Sequence, residues 1–180
     1  MRTIEPIARI DLAFSLFCLK HRFNVQVASV SRWVSRTGDG HLYLLLGIAV
    51  FCLDEPVGKL FFTAALLAFA IELPIYWLAK NSFKRRRPEE FSHLLHAFIT
   101  PSDRYSLPSG HTAAAFLMAT IIGQFYPQWH DPALMWAVLI GASRILLGVH
   151  FLTDVVIGAV LGMSSAYVAL EYVQAWLGGV

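Results

Sequence analysis

Charge is scarce in this chain. Lys, Arg, Asp and Glu supply 14% of its 180 residues and hydrophobic residues 57%, whereas a soluble domain carries about 25% charged residues. The shortage argues against an ordinary soluble domain and for a polytopic membrane protein. Basic residues are also missing from most of the second half: thirteen of the fourteen precede position 105, and Arg144 is the only one after it. With a net charge of only +2, nothing calls for a nucleic-acid partner. Cysteine is limited to Cys18 and Cys52. Neither belongs to a CxxC pair and no histidines cluster at ligand spacing, so two buried thiols are expected, with no metal site and no cofactor. Arg9 and Asp11 interrupt the first apolar run and no small-residue cleavage site follows, so the first segment is expected to stay in place. Repeats and low-complexity stretches are absent.

What is present reads as an all-α fold: a transmembrane helical bundle of five or six spans behind amphipathic N-terminal helices. Residues 1–38 form the first region, residues 39–180 the membrane-embedded core. From Pro6 to Leu19, Ile7, Ile10, Phe14, Phe17 and Cys18 recur at three- and four-residue spacing, with Arg9, Asp11 and Ser15 between them. Residues 22–36 oppose Phe23, Val27, Val30 and Val34 to Arg22, Gln26, Ser29, Arg32 and Arg36. Both segments suit the headgroup region, and residues 6–19 could instead form a short first span. Thr37-Gly38-Asp39-Gly40 is a turn signal. Spans are expected at 42–53, 59–80, 109–126, 132–149 and 153–176. The first is short for a hydrocarbon layer of about 30 Å, and the second contains Pro74, expected to kink it, and Glu72. A carboxylate inside a span is either functional, paired with a neighbouring helix, or hydrated near the membrane face. The polar connection 81–107 carries KRRRPEE and FSHLLHAF, the latter a possible short surface helix bringing His93 and His96 near a site entrance. Trp77, Tyr126, Trp129, Trp136 and Trp176 fall near predicted span ends, where interfacial aromatics belong; His21, His41 and His130 look interfacial as well.

If the spans alternate direction, the polar residues of the apolar half converge on one membrane face: Lys80 and Arg87, then Ser109, Gly110 and His111, then Arg144, His150 and Asp154. Three cations suit a dianionic phosphate, and the planar fork of arginine matches two of its oxygens. Ser109 and Gly110 open a helix whose first amides point outward, which completes an oxyanion cradle. Of the two histidines, His150 has an orienting carboxylate four residues later in Asp154, as a nucleophile requires, and His111 is left as the acid for the leaving oxygen. Lys84, Arg85 and Arg86 read as a membrane-edge anchor that sets topology.

Lys80-Asn-Ser-Phe-Lys-Arg-Arg-Arg87-Pro88, Pro108-Ser-Gly-His111 and Ser143-Arg-Ile-Leu-Leu-Gly-Val-His150-Phe-Leu-Thr-Asp154 resemble, in order and spacing, the three-part signature of the type 2 phosphatidic acid phosphatase family. The resemblance covers roughly residues 40–175. It implies a metal-independent phosphatase working through a phosphohistidine on His150, with Lys80, Arg87, Ser109, Gly110 and Arg144 binding phosphate, His111 protonating the leaving group and Asp154 orienting His150. The implied partners are the bilayer and a phosphorylated lipid of the phosphatidate, phosphatidylglycerophosphate, undecaprenyl diphosphate or lipid A class, with a glycerolipid or undecaprenyl substrate favoured. Two other readings are a non-catalytic lipid-phosphate binder or transporter and, through the wider superfamily, a vanadate-dependent haloperoxidase. The resemblance to bacterial members implies a site on the outer face of the cytoplasmic membrane, whereas the bias of Lys and Arg toward the active-site face makes that face cytoplasmic.

Overall fold

The computed structural model describes residues 5–20, 24–55, 57–92 and 95–178. Among them the fold is all-helical: α1 (Glu5–Leu19), α2 (Asn24–Arg36), α3 (Gly40–Leu53), α4 (Val57–Phe83), α5 (Pro88–Phe91), α6 (Gly110–Phe125), a 3-10 turn (Pro127–Trp129), α7 (His130–Leu146) and α8 (Leu152–Gly178). The sequence periodicity predicts all the long elements. The expected positions of Arg2, His21, Arg22, Phe23 and His93 lie outside the described residues.

Helix α6 is the hub, packed against α4, α7 and α8. Its Leu117, Met118 and Ile121 meet Phe61, Ala64, Ala65 and Ala68 of α4 and Ala166, Ala169, Leu170 and Val173 of α8 in one buried cluster. Alanine dominates here because small side chains allow helix backbones to approach closely, the packing mode expected where lipid supplies no hydrophobic drive between helices. The α6–α8 contact is the tightest: a Cβ on Gly162 would stand 2.0 Å from the Ala113 carbonyl oxygen. That closeness sets the start of α6 beside the start of α8.

The outside of the bundle is apolar. Ile48, Leu66, Leu73, Val138, Val156 and Val160 are all exposed, which water would penalise and hydrocarbon would not. Among the described residues two helices, α4 and α8, are long and apolar enough to cross a bilayer. At about 1.5 Å per residue, the 14, 16 and 17 residues of α3, α6 and α7 give shorter rods. Helix α4 continues through Pro74. Exposed Trp77, Trp129, Trp136 and Trp176 fit the expected interfacial aromatics.

The N-terminal helices turn their small and polar residues inward. Ala28, Ser31 and Ser35 of α2 are buried against α7, and Asp11 and Ser15 of α1 are buried as well, while Ile10, Phe17, Val25, Val30 and Trp33 face out. Two expectations are corrected. Cys18 is half-buried and Cys52 exposed, since Cys52 lies on the outward side of α3, so the thiols are not both buried. FSHLLHAF is not a helix through its described part: α5 stops at Phe91, Leu95 is buried and the Phe98 amide donates to the Leu147 carbonyl at 2.9 Å. These contacts spend the segment on the α7–α8 loop, and His96 is exposed in irregular chain.

Candidate active site

The α7–α8 connection places His150. Helix α7 ends in a turn in which Gly148 takes φ +74°, a left-handed conformation that glycine adopts without strain; a side chain there would also strike the His96 carbonyl oxygen at 2.7 Å. Arg87 donates through Nη1 to the Val149 carbonyl at 2.5 Å, fixing the residue before His150. Asp154, in the first turn of α8, accepts the Phe151 amide at 2.8 Å, as the third residue of a capping box does. His150 itself is buried, with Nδ1 3.7 Å from Asp154 Oδ2. That is an electrostatic pairing beyond hydrogen-bond reach, and Nδ1 has no other partner. Burial pushes the imidazole down to about 4 against the pull of Asp154, and Arg144 adds to the effect. The ring is therefore neutral at pH 7, the state a nucleophile needs.

Arg144 stands beside it, buried. One Nη1 proton goes to Ser35 Oγ at 2.6 Å, while Nε is buried without a partner. Arg144 lines a cavity, and a buried guanidinium donor left without an acceptor suits an anion. Gly110 and His111 open α6, where first-turn amides have no intrahelical acceptor. Ser109 is placed differently from the free amide expected of it. Its N–H donates to the Asp154 carbonyl at 3.1 Å and its hydroxyl pairs with Thr112 Oγ1 at 2.9 Å, so Ser109 ties the two halves of the site together. His111 Nε2 lies 2.9 Å from Asp39 Oδ1.

Lys80 and Arg87 meet on a carboxylate that the sequence reading did not single out. Asp103 Oδ2 accepts from Lys80 Nζ at 2.8 Å and from the Tyr76 hydroxyl at 2.8 Å; Asp103 Oδ1 accepts from Arg87 Nη2 at 2.6 Å. The Tyr76 hydroxyl in turn accepts from Lys80 Nζ at 2.6 Å. Arg87 also donates to the carbonyls of Asp103 and Tyr105 at 2.9 and 3.0 Å. Burial alone would raise the Asp103 carboxyl, but Lys80, Tyr76 and Arg87 hold it below the usual carboxylate range. Asp103 thus sits on two of the three cations as an internal anion.

Arg85 departs from the expected role of an anchor. Lys84 and Arg86 are exposed, but Arg85 turns inward over the Phe151 ring at 4.4 Å. Its Nη1 donates to Asp154 Oδ1 and its Nη2 to Asp11 Oδ2, both at 2.6 Å. Asp11, wholly buried on α1, also accepts the Thr153 amide at 3.1 Å. Asp154 is therefore gripped by Arg85 more firmly than it grips His150.

Arg87, Gly110, His111, Arg144 and His150 line one cavity of about 460 Å³, whereas Lys80, Ser109 and Asp154 stand behind its wall. The cavity continues between α3 and α4 along Leu44, Gly47, Phe62, Leu66, Phe69 and Leu73, with Glu72 among them. On the far side of His111 and Arg144 a polar cavity of about 220 Å³ leads out past Arg32 and Arg36. Sequence reasoning missed Asp11, Ser35, Asp39, Tyr76, Arg85 and Asp103. The one available signal was Asp11, a carboxylate interrupting an apolar helical face; the others sat in a turn, a serine-rich helix, an apolar span, a loop and a basic run with ready local explanations.

A model of the PAP2 superfamily matches residues 57–177. The chain is 34% identical over 110 residues to phosphatidylglycerophosphatase B of Bacillus subtilis, covering 54% of this chain and 51% of that protein. It is 28% identical over 152 residues to the probable lipid phosphate phosphatase beta of Arabidopsis thaliana, covering 69% of this chain and 70% of that protein. The crystal structure of LpxE from Aquifex aeolicus shares the fold at a TM-score of 0.79 and 25% identity, covering 91% of this chain and 96% of the other.

Proposed function

Because the chain belongs to the PAP2 superfamily, we propose that it is a multi-pass membrane lipid phosphatase that hydrolyses the phosphomonoester or diphosphate of a phosphorylated lipid. The observation that carries the reading is a cavity that joins Arg144, whose Nε is without an acceptor, and neutral His150 to an apolar groove between α3 and α4. The groove takes the hydrocarbon tail from the bilayer, and the polar end takes the phosphate. Arg144, Lys80, Arg87 and the amides of Gly110 and His111 neutralise the phosphoryl oxygens, a task another enzyme could give to a metal ion. Its named relatives with phosphatase activity support the same chemistry.

In the first step, His150 Nε2 attacks phosphorus, with Nδ1 facing Asp154, and the bond from phosphorus to the leaving oxygen breaks as His111 gives that oxygen a proton. In the second, His111 takes a proton from water, the water oxygen attacks the phosphohistidine, and free phosphate leaves with His150 neutral again. Asp39, against His111 Nε2, stabilises the protonated acid. The polar cavity past Arg32 and Arg36 is the route for water and phosphate. The short helices α3, α6 and α7 cross with α4 and α8 as five spans, and the site lies on the outer face of the cytoplasmic membrane, a reading that resemblance to bacterial members supports.

Phosphate release from a panel of phosphorylated lipids, with EDTA present, tests the reading. The natural chain releases phosphate and His150→Ala does not. Inactivity of the natural chain on every lipid, or full activity of His150→Ala, overturns it. Labelling a cysteine at Ser102 from outside intact cells tests the face; protection there refutes the outer assignment.

A further inference from the structure

Glu72 takes no part in the chemistry described so far, yet it lies on the path a substrate must occupy. It is 2% exposed and lines the same cavity as Arg87, His111, Arg144 and His150, in the apolar stretch between Phe62, Phe69 and Leu73. No described side chain donates to it or pairs with it, so the expectation of a partner on a neighbouring helix is not met among the described residues. A buried carboxyl without a donor is costly in an apolar setting. It sits one helical turn from Tyr76 and two from Lys80, about 6 and 12 Å along the helix axis. A phosphate bound beside Arg144, Arg87 and His150, with its tail in the α3–α4 groove, therefore carries its leaving group past Glu72.

We propose that Glu72 is a specificity residue: it accepts a hydrogen bond from a free hydroxyl or amide N–H that the lipid carries a few bonds from the scissile phosphate. The inference rests on the phosphatase reading and narrows its substrate class. The role belongs to the ionised form, which only accepts; a protonated carboxyl would also donate to an ester carbonyl. A phosphorylated diacylglycerol, whose glycerol carries only esters, leaves Glu72 unsatisfied, and so does a polyprenyl diphosphate. A leaving group built on an amino alcohol, a polyol or an amino sugar satisfies it. Sites built to hydrogen-bond a substrate discriminate strongly against analogues that lack the donor, because the buried group is then left unpaired.

Ceramide 1-phosphate and phosphatidate of matched chain length are both two-chain phosphomonoesters and differ in this feature, so the ratio of their kcat/KM values reads Glu72 directly. The natural chain in mixed micelles is expected to favour ceramide 1-phosphate by about tenfold or more. Glu72→Leu brings the ratio close to one, and Glu72→Gln, which keeps a carbonyl acceptor, retains part of the preference. The ratio does not depend on how much of a variant folds. Hydrolysis of both lipids without preference, or a ratio unchanged in Glu72→Leu, overturns the role of Glu72 and leaves the phosphatase reading standing. Release of phosphate from no lipid at all overturns both.

Discussion

Replacing Arg85 with methionine tests whether the buried Asp11–Arg85–Asp154 bridge positions the nucleophile. The guanidinium is largely buried, with 17% of its side chain exposed, and its two carboxylates show 1% and 0%. Methionine fills much of the same volume, so the substitution removes the charge and the three 2.6 Å bonds, to Asp154, Asp11 and Thr153 Oγ1, more than the packing. It strands two carboxylates that water cannot reach. Breaking one buried pair by removing a partner costs about 3–5 kcal/mol, and Asp11 keeps only its contacts to Thr153. A loss of about 4 kcal/mol in detergent-solubilised protein is the expected result, read as a lower unfolding temperature.

The activity readout separates positioning from mere stability. At a temperature where the variant is still folded, Asp154 retains the Phe151 amide but loses the bond that fixes its other oxygen, so His150 loses its aim. A fall in kcat of about tenfold, worth about 1.4 kcal/mol in the barrier, is expected with little change in KM. Asp11→Asn keeps one acceptor oxygen but turns an amide N–H toward the donors of Arg85 or Thr153 and removes one charge, and should cost about 1–3 kcal/mol of stability with a smaller loss of kcat. If Arg85→Met unfolds at the natural temperature and keeps its kcat, the bridge does not position Asp154 and the reasoning is wrong.

Two further outcomes follow from charge. His150 titrates near 4 in the folded protein and near 6.5 unfolded, so the unfolded chain binds the extra proton between those values. Stability is therefore intact above about pH 6.5 and falls as the pH drops toward 4, by an amount on the order of 3 kcal/mol; unfolding temperatures across that window should flatten in His150→Gln, and an unchanged slope assigns the effect to another group. Asp103→Asn removes the internal anion from Lys80 and Arg87 while keeping a hydrogen-bonding side chain. Inorganic phosphate should then inhibit several-fold more tightly, by a gain of about 1 kcal/mol or more, and weaker inhibition would show that Asp103 holds the cradle open.

The helices were legible because each carries a period or an uninterrupted apolar run, and the three signature segments because their charges have no place in such runs unless they meet. Arg144, His111 and His150 line one cavity in the fold, the convergence that argument expects. What was not legible depends on how separate helices pack. Arg85 and Arg86 are adjacent in a basic run, and only the direction of the chain between α4 and α5 turns one inward and leaves the other at the surface. The same holds for Ser109, whose amide would be free if α8 were farther away, but Gly158 and Gly162 let α8 come close enough to use it: a Cβ at Gly158 would stand 2.6 Å from the Ser109 carbonyl oxygen.

The N-terminal helices carry this further. An amphipathic segment with basic residues invites a place in the headgroup region, yet a transmembrane bundle has a reason to bury its polar faces instead, since its exterior meets hydrocarbon. Helices α1 and α2 bring Asp11 and Ser35 inward, and the turn after α2 brings Asp39. Each contacts a different element of the candidate site: Arg85 and Thr153, Arg144, and His111 respectively. The matched family model begins only at residue 57, so these three contacts come from outside the matched region. Two arginine positions and one histidine therefore depend on residues 11, 35 and 39. Variation in those first 39 residues would tune the site without altering any signature residue, because the partners that orient the cations and the acid lie there.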